Sequence, residues 1–268
     1  MGDTGNRPRG LDTRMAHPAR VYDVWLGGKD NFAADREAAR QAVAANPGIL
    51  DAVRANRAFL GRAVTHLAGS AGIRQFLDIG TGIPAAENTH EVAQRVAPDA
   101  RIVYVDNDQV VLAYSRALLG SAPEGATAYI DADLRDVDTI LARAADTLDL
   151  GRPVGLVLAA ILQYIPDDDD PYGIVARLVD ALAPGSHVMI SHPASDIQTD
   201  EVAESMRRYN ERAAEPATPR TRAGVTRFFD GLDVLEPGVV QIPRWRPAPG
   251  SVPDDSIVMW GGVAVKPA

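Results

Sequence analysis

Three short apolar runs of the sequence end in carboxylates, and the first run leads into a glycine turn. Asp78 stands directly before the turn Gly80–Gly82. Asp106 closes the second run, and Asp133 follows the third. A carboxylate beside a ligand pocket repels a pyrophosphate and attracts an ammonium or sulfonium group. These residues therefore indicate a site for a cationic ligand.

The glycine turn narrows the choice of ligand. A strand, a glycine turn and a helix form a general nucleotide pocket, because the helix start offers free N–H groups. Pro84 has no N–H, so we expect one donor for phosphate oxygens to be missing at this helix start. The turn favours a ligand with an adenosyl part, a positive charge and no phosphate, and S-adenosylmethionine is such a ligand.

The other two carboxylates suit the rest of that ligand. Asp106 stands where an acidic residue accepts hydrogen bonds from both ribose hydroxyls, although NAD also has a ribose and this position does not separate the two cofactors. Asp133 is placed to accept a hydrogen bond from the adenine amino group, and Leu134 to cover the ring. The alternative is that these aspartates only form turns or cap the next helices.

The elements that must hold these residues follow from the hydrophobic pattern. Between residues 75 and 192, short apolar runs alternate with helical patterns, which is typical of a mostly parallel sheet with helices on both faces. The sequence thus predicts a Rossmann-like α/β fold. Two β-like runs near the C-terminus, 231–245 and 256–268, are expected to pair antiparallel at one edge of the sheet.

The N-terminal part is helical in pattern. Ile49, Val53, Leu60, Val64 and Leu67 follow a period of about 3.6 residues. We predict a flexible tail over 1–18 and a single domain over 19–268, made of a helical cap (19–72) and an α/β core (73–268).

The stretch VYDVWLGGKDNFAADRE, residues 21–37, contains the most unusual polar residues of the cap. One interpretation makes it a lid over the ligand crevice, with Tyr22 and Asn31 reaching the cofactor. The other makes it a capped helix clamped by Asp35 and Arg36.

Several stretches together resemble the class I S-adenosylmethionine-dependent methyltransferases, and more narrowly a bacterial family long known only as a domain of unknown function. The stretches are Ala19 to Ala39, Asn56 to Val64, Gln75 to Pro84, Asn88 to Gln94, Tyr104 to Asp108 and Ala132 to Asp136. The resemblance covers nearly the whole chain. It implies a seven-stranded sheet with an antiparallel last strand and S-adenosyl-L-methionine as cofactor.

The resemblance also implies roles for single residues. Asp78, Gly80 and Gly82 would hold the methionine end, Asp106 the ribose, and Asp133 with Leu134 the adenine. Three neighbours of these positions are also expected to contact the cofactor: Thr81, Asn107 and Ala160.

The predicted catalytic residues follow the fourth and fifth strands. Gln163 and Tyr164 are expected to contact the substrate, and His192 to act as a base near it. Alternatively, Tyr164 packs under the next helix and His192 is a hydrogen-bonded residue at a strand end. Gln163 stands where relatives often have histidine; if that histidine is a base, this chain lacks it.

Composition limits the partners. The chain has 268 residues, a net charge of −9 and no cysteine, and its basic residues are scattered. We therefore expect neither nucleic acid nor an anionic membrane as partner. No stretch approaches the about 18 apolar residues of a membrane span, which predicts a cytoplasmic protein. The chain is expected to be a monomer or homodimer.

The run Asp167–Asp170 is read as a solvated loop and helix cap. A metal site is the less favoured alternative, and no metal is expected.

The sequence predicts a methyltransferase that moves a methyl group to an O or N atom of a small-molecule acceptor by in-line displacement, leaving S-adenosyl-L-homocysteine. The alternatives are an NAD(P)-dependent oxidoreductase and a non-catalytic S-adenosylmethionine-binding regulatory protein.

Overall fold

A computed structural model describes residues 12–118, 121–211 and 213–268. Most of the predicted tail, residues 1–11, lies outside the described residues. Its last part packs against the domain: Ala16 is buried and forms a bridge with Ala213, and Pro18 begins the first helix. Packing therefore starts before the predicted boundary at residue 18.

The described residues form one mixed sheet, in the order β3-β2-β1-β4-β5-β8-β6, with β7 also paired to β8. The strands are β1 (Gln75–Ile79), β2 (Arg101–Asp106), β3 (Ala126–Asp131), β4 (Gly155–Ala159), β5 (His187–Pro193), β6 (Asp233–Val234), β7 (Val240–Gln241) and β8 (Met259–Val265). Strands β1 to β5 are parallel, and β8 is antiparallel to β5. The predicted Rossmann-like class is confirmed.

The number and place of the last strands differ from the prediction. The sheet has eight strands where seven were expected, because β6 and β7 are two short strands. Both pair with β8, which lies between β5 and β6. The antiparallel pairing of the two C-terminal runs is thus correct, and the short strands β6 and β7 both pair along β8 at this end of the sheet.

Helices cover both faces of the sheet, and their apolar residues fill two large clusters, one on each side. The helices are α1 (Pro18–Trp25), α2 (Ala33–Ala45), α3 (Ile49–Gly69), α4 (Thr89–Val96), α5 (Gln109–Leu118), α6 (Val137–Ala144), α7 (Pro171–Asp180), α8 (Thr199–Asn210) and α9 (Arg222–Thr226). The predicted apolar face of α3 is buried at all five positions.

The turn after β1 corrects one step of the sequence argument. Helix α4 starts at Thr89, where Asn88 and Glu91 cap it, so Pro84 lies in the preceding loop and not at the helix start. The missing N–H of Pro84 therefore does not explain why phosphate would be excluded.

Helix α8 is distant in sequence from α1 and α2 but packs against them. Their shared cluster includes Val21, Ala38 and Tyr209, and the Ser205 hydroxyl donates a hydrogen bond to the carbonyl of Ala42 (3.1 Å). The alanine-rich face of α2 permits this close approach. The cap over the sheet is therefore built from both halves of the chain.

Among the described helices, none has the length and apolar character that a bilayer span requires.

Candidate active site

A crevice opens at the carboxyl ends of β1, β2 and β4, where the strand order reverses, which is the usual ligand position in open α/β sheets. Its volume is about 970 Å³, including open solvent at its mouth. The predicted site residues that line it are Tyr22, Asp78, Gly80, Thr81, Gly82, Asp106, Asn107, Asp133, Leu134, Ala160 and Tyr164. Asn31, Gln163 and His192 are not among its lining residues.

Asp78 lies at the bottom of this crevice and is 5% exposed. The hydroxyl of Thr89 donates a hydrogen bond to Asp78 Oδ2 (2.6 Å). Burial raises the pKa of Asp78 to about 6, although the Thr89 hydrogen bond and the charge of Arg57 work in the opposite direction. A buried carboxylate of this kind gains most from a cation in the crevice.

The two glycines of the turn differ in the space around them: Gly82 leaves room for a ligand, and Gly80 is tightly packed. Gly80 and Gly82 both have positive φ, 75° and 67°. A Cβ on Gly80 would lie 2.4 Å from Cγ1 of Ile161, which follows β4. A Cβ on Gly82 would meet no described atom within 4 Å. Gly80 therefore permits close packing of β1 against the end of β4, while the space above Gly82 is open.

Asp106 holds the same turn from the end of β2. Its Oδ2 accepts a hydrogen bond from the N–H of Gly82 (2.9 Å), and its Oδ1 accepts one from the N–H of Asp108 (3.0 Å). Burial raises the pKa of Asp106, and these two backbone hydrogen bonds lower it. Each carboxylate oxygen keeps a lone pair for a further donor, such as a ribose hydroxyl.

Asp133 is held by Arg135, a residue that the sequence argument did not single out. One guanidinium nitrogen of Arg135 lies 3.1 Å from both Asp133 oxygens, and the Arg135 N–H donates to Oδ1 (2.9 Å). Asn107 Nδ2 is 3.4 Å from Asp133 Oδ2. These contacts fix the carboxylate beside the buried Leu134, which is also in the crevice wall.

Helix α1 and its N-cap His17 line one side of the crevice through His17, Pro18, Ala19 and Tyr22, which agrees with the interpretation of this stretch as a lid. The Tyr22 hydroxyl donates to the carbonyl of Val53 (3.3 Å) and accepts from Asn56 Nδ2 (3.0 Å). Asn56 Oδ1 accepts from the hydroxyl of Ser191 in β5 (2.6 Å). This chain of hydrogen bonds ties the lid to the sheet.

Asn31 does not line the crevice, so the structure does not support its predicted contact with the cofactor. Its amide donates to Asp23 Oδ2 (2.8 Å) and to the carbonyl of Gly28, which fixes the loop between α1 and α2. Asp35 accepts a hydrogen bond from the N–H of Phe32 (2.8 Å), and Arg36 donates to Asn31. The stretch is therefore both a lid, through Tyr22, and a capped helix.

His192 does not line the crevice, and both of its ring nitrogens have partners, so it is not placed to act as a base. It is fully buried between two partners: Nδ1 lies 2.9 Å from the carbonyl of Pro193, and Nε2 lies 3.0 Å from Arg220. Burial and the charge of Arg220 lower its pKa to about 3. The neutral ring uses both nitrogens in hydrogen bonds, which confirms the alternative of a structural residue at a strand end.

Gln163 and Tyr164 differ in position. Tyr164 lines the crevice and a second, apolar cavity, whereas Gln163 lines only the second. Gln163 Nε2 donates to the carbonyl of Ala160 (2.7 Å), and the Gln163 side chain also interacts with the Tyr164 hydroxyl and lowers its pKa, against the larger effect of burial. Gln163 is thus beside the crevice, not within it.

The crevice also contains residues that sequence reasoning missed: His17, Asn56, Arg57, Arg135 and Glu215. Arg57 donates to the carbonyls of Ala86 and Glu87 (3.0 and 2.8 Å) and so holds the loop after the glycine turn. Asn56 and Arg57 begin one of the stretches that carry the family resemblance, so a signal existed for them. Glu215 lies in a polar segment after α8, where no pattern distinguished it.

The acidic run before α7 has structural partners. Asp170 caps the helix, its side chain accepting from the N–H of Gly173 (3.0 Å). Asp167 pairs with Arg220 (2.6 Å), and Asp169 with Arg135 (2.7 Å). Over the described ranges, no group of three or more His, Cys, Asp or Glu residues is arranged to hold a metal ion. The helix-cap interpretation is confirmed.

Comparison with known proteins adds independent information. A model of the S-adenosyl methyltransferase family matches residues 4–267. A DUF574 family protein from Streptomyces avermitilis is 48% identical, with a TM-score of 0.91 over 96% of this chain and 99% of its own. A candidate methyltransferase from Thermobifida fusca is 39% identical, with a TM-score of 0.89 over 99% of this chain and 100% of its own.

More distant likeness concerns the fold alone. The plantazolicin methyltransferase BpumL, solved with S-adenosylhomocysteine and a triazolic desmethylPZN analog, is 11% identical, with a TM-score of 0.52 over 93% of this chain and 96% of its own. None of the curated proteins searched matches the chain.

The family model spans almost the whole sequence, and the crevice lies where enzymes of this fold bind their cofactor. The chain belongs to the S-adenosyl methyltransferase family and is an S-adenosylmethionine-dependent methyltransferase.

Proposed function

We propose that the crevice binds S-adenosylmethionine with its methionine end at Asp78 and the turn Gly80–Gly82, its ribose at Asp106, and its adenine between Asp133 and Leu134. Thr81, Asn107, Ala160 and Tyr22 complete the contacts. The observation that carries this proposal is Asp78, a buried carboxylate with a raised pKa at the base of a crevice.

The residues present fit this cofactor. Asp106 and Asp133 are oriented by backbone N–H groups and by Arg135, and both keep acceptor capacity for hydroxyl and amino donors. The open space above Gly82 allows a ligand to approach the backbone. The apolar side chain of Leu134 provides a surface for a flat ring.

The bound cofactor would supply a methyl group on a positively charged sulfur, which an acceptor atom displaces in line. The protein's own contribution is to orient both partners and to exclude water. Tyr22 and its hydrogen-bonded chain through Asn56 keep the lid over the crevice.

We propose an O or N atom of a small molecule as the acceptor. Gln163 has no basic group, and His192 is buried away from the crevice. Glu215 lines the crevice, where its charge acts on the guanidinium of Arg135. Where the acceptor must lose a proton, we propose that the Glu215 carboxylate takes it. A cytoplasmic location and a monomeric or homodimeric state stay predictions from the sequence.

Isothermal titration calorimetry tests the cofactor assignment. We expect S-adenosylmethionine to bind and NADH not to bind. Asp78→Asn should weaken the binding of S-adenosylmethionine by about tenfold or more, because a buried charge pair is lost. Asp131→Asn is the matched control, since Asp131 also ends a strand but is exposed and outside the crevice wall. Unchanged affinity in Asp78→Asn, or binding of NADH alone, would contradict the proposal.

A further inference from the structure

A second cavity, of about 700 Å³ including open space, adjoins the crevice. We name it the acceptor chamber; its walls include Trp25 of α1, Ala52 of α3, Gln163, and Met206 and Tyr209 of α8. Tyr22, Ala160 and Tyr164 line both the chamber and the crevice. We propose that the chamber binds the methyl acceptor, and that this acceptor is a neutral, largely apolar aromatic molecule with an O–H or N–H group. This inference rests on the proposed function of the crevice.

Aromatic rings form a continuous part of the chamber wall. The ring centroids of Tyr22 and Trp25 are 6.5 Å apart, those of Trp25 and Tyr209 are 6.3 Å apart, and those of Tyr209 and Tyr164 are 6.5 Å apart. Such rings contact flat apolar molecules over a large area at favourable edge and offset geometries. The wall therefore favours an aromatic occupant.

The chamber lacks charge. All of its lining residues are described, and none of them is an Asp, Glu, Lys, Arg or His. A charged molecule would lose its hydration there without gaining a partner. The occupant is therefore neutral.

Three polar side chains meet in the wall, those of Gln163, Tyr164 and Tyr209. Gln163 is 4% exposed and Tyr209 is 1% exposed, and both interact with the Tyr164 hydroxyl, whose pKa is raised by burial and lowered by these two groups. Neither Gln163 Oε1 nor the Tyr209 hydroxyl forms a hydrogen bond of good geometry with a described residue. Buried polar atoms with poor hydrogen bonds are destabilising. A ligand O–H or N–H group beside Tyr164, which lines both cavities, would improve the hydrogen bonding of these three side chains.

The orientation of Gln163 is fixed from the shared wall. Ala160 adopts a positive φ of 52°, which is unusual for a residue with a side chain. Its carbonyl accepts the hydrogen bond from Gln163 Nε2 (2.7 Å). Ala160 therefore lies between the two cavities and fixes the orientation of the Gln163 side-chain amide in the chamber wall.

The test uses 2-naphthol, naphthalene, 2-naphthoate and 2-naphthylmethylammonium as probes, titrated into the full chain saturated with S-adenosylhomocysteine. We expect 2-naphthol to bind about tenfold or more tightly than the anion and the cation, and more tightly than naphthalene. Equal binding of the charged probes, or no binding of 2-naphthol, would overturn the proposal.

Substitutions in the chamber wall test whether 2-naphthol binds in the chamber. Met206→Trp should fill the chamber and reduce 2-naphthol affinity at least tenfold, and Ala52→Met should do so from another wall. Ala203→Trp is the control, since it places the same ring on an exposed position of α8. Tyr209→Phe removes one hydroxyl and should reduce the preference for 2-naphthol over naphthalene by about threefold to tenfold.

The affinity for S-adenosylhomocysteine is measured for each variant and separates the two hypotheses. Suppose that all three variants, Met206→Trp, Ala52→Met and Tyr209→Phe, bind S-adenosylhomocysteine normally and leave the affinity for 2-naphthol unchanged. The proposal that the chamber binds the acceptor is then wrong, and the proposed cofactor site stands. If the unmodified chain binds no S-adenosylhomocysteine, the proposed cofactor site itself fails.

Discussion

Asp78 and His192 are both polar residues at strand ends for which the sequence predicts a role in the site, and both are buried. They differ in their partners. Thr89 gives Asp78 one side-chain hydrogen bond, and the other face of the carboxylate meets the crevice. The carbonyl of Pro193 and the guanidinium of Arg220 occupy both nitrogens of His192. A site residue therefore differs from a structural one in that some of its hydrogen-bonding atoms remain free to bind a ligand.

This difference gives a prediction for stability. Because the pKa of Asp78 is raised to about 6 in the folded chain from an ordinary value of 3.8, the chain loses stability progressively as the pH rises from the ordinary pKa to the folded pKa. The destabilisation is absent below the ordinary pKa and complete above about pH 6. We therefore expect Asp78→Asn to raise the free energy of unfolding by about 3 kcal/mol at pH 8 and by less at pH 5.

Chemical denaturation at the two pH values, without cofactor, measures this change. Asp131→Asn, at an exposed strand end, should leave the stability nearly unchanged at both. A loss of stability in Asp78→Asn at pH 8 would show that the carboxylate serves the fold and not the ligand.

Helix α1 is the element that closes the crevice, and it is held by buried charges. Arg20 is 4% exposed; its Nε lies 3.3 Å from Asp108 Oδ2, and its NH1 lies 3.8 Å from Asp35 Oδ2. His17 Nδ1 is 3.0 Å from the same Asp108 oxygen. Burial raises the pKa of Asp108, but the hydrogen bond from His17 and the charges of His17 and Arg20 leave it below its ordinary value. Asp108 thereby joins the lid to the start of α5.

We expect Arg20→Ala to release the lid. It leaves Asp35 and Asp108 buried with less compensation, a change that typically destabilises by about 3–5 kcal/mol. Hydrogen exchange in residues 16–45 should become faster, and S-adenosylmethionine should dissociate faster. Arg40→Ala is the control, because Arg40 lies on α2 in an exposed pair with Glu37. Equal exchange in the two variants would contradict a role for Arg20 in holding the lid.

At the scale of the whole molecule, the cap and the last strand share one core. A Cβ added to Gly261 of β8 would lie 2.6 Å from Ile242 and 2.9 Å from the ring of Phe59 in α3. Phe59 is fully buried and packs edge-on against Trp245. Residues from the first and last quarters of the chain are therefore in direct contact, as expected of a single domain.

Gly261→Ala should lower the free energy of unfolding by about 1–3 kcal/mol through overpacking, with the whole chain still unfolding in one transition. The control is Gly69→Ala at the end of α3, where a Cβ would meet Val96 at an ordinary 3.4 Å. Calorimetry checks both. Two separate transitions, with the cap melting first, would contradict the prediction of a single domain.

The fold class and the cofactor can be predicted without tertiary coordinates. Alternating apolar runs and helical periods define a parallel sheet, and residues next to strand ends, such as Asp78, Gly80 and Asp106, meet at one edge because parallel strands point the same way. These positions depend only on local pattern and on topology. A different signal predicted Tyr22, because most of α1 lies within the stretch Ala19 to Ala39 that carries the family resemblance.

Which polar side chains face a cavity depends on the packing of elements that are distant in the sequence. His192 and Asn31 bond to neighbours that are set by packing, and Gln163 faces the second cavity because a turn at Ala160 directs it there. Glu215 and Tyr209 reach the site because α8 packs on α1 and α2 across more than half of the chain. Such contacts depend on where distant elements meet, and this is set by how their surfaces fit together and not by any local period in the sequence.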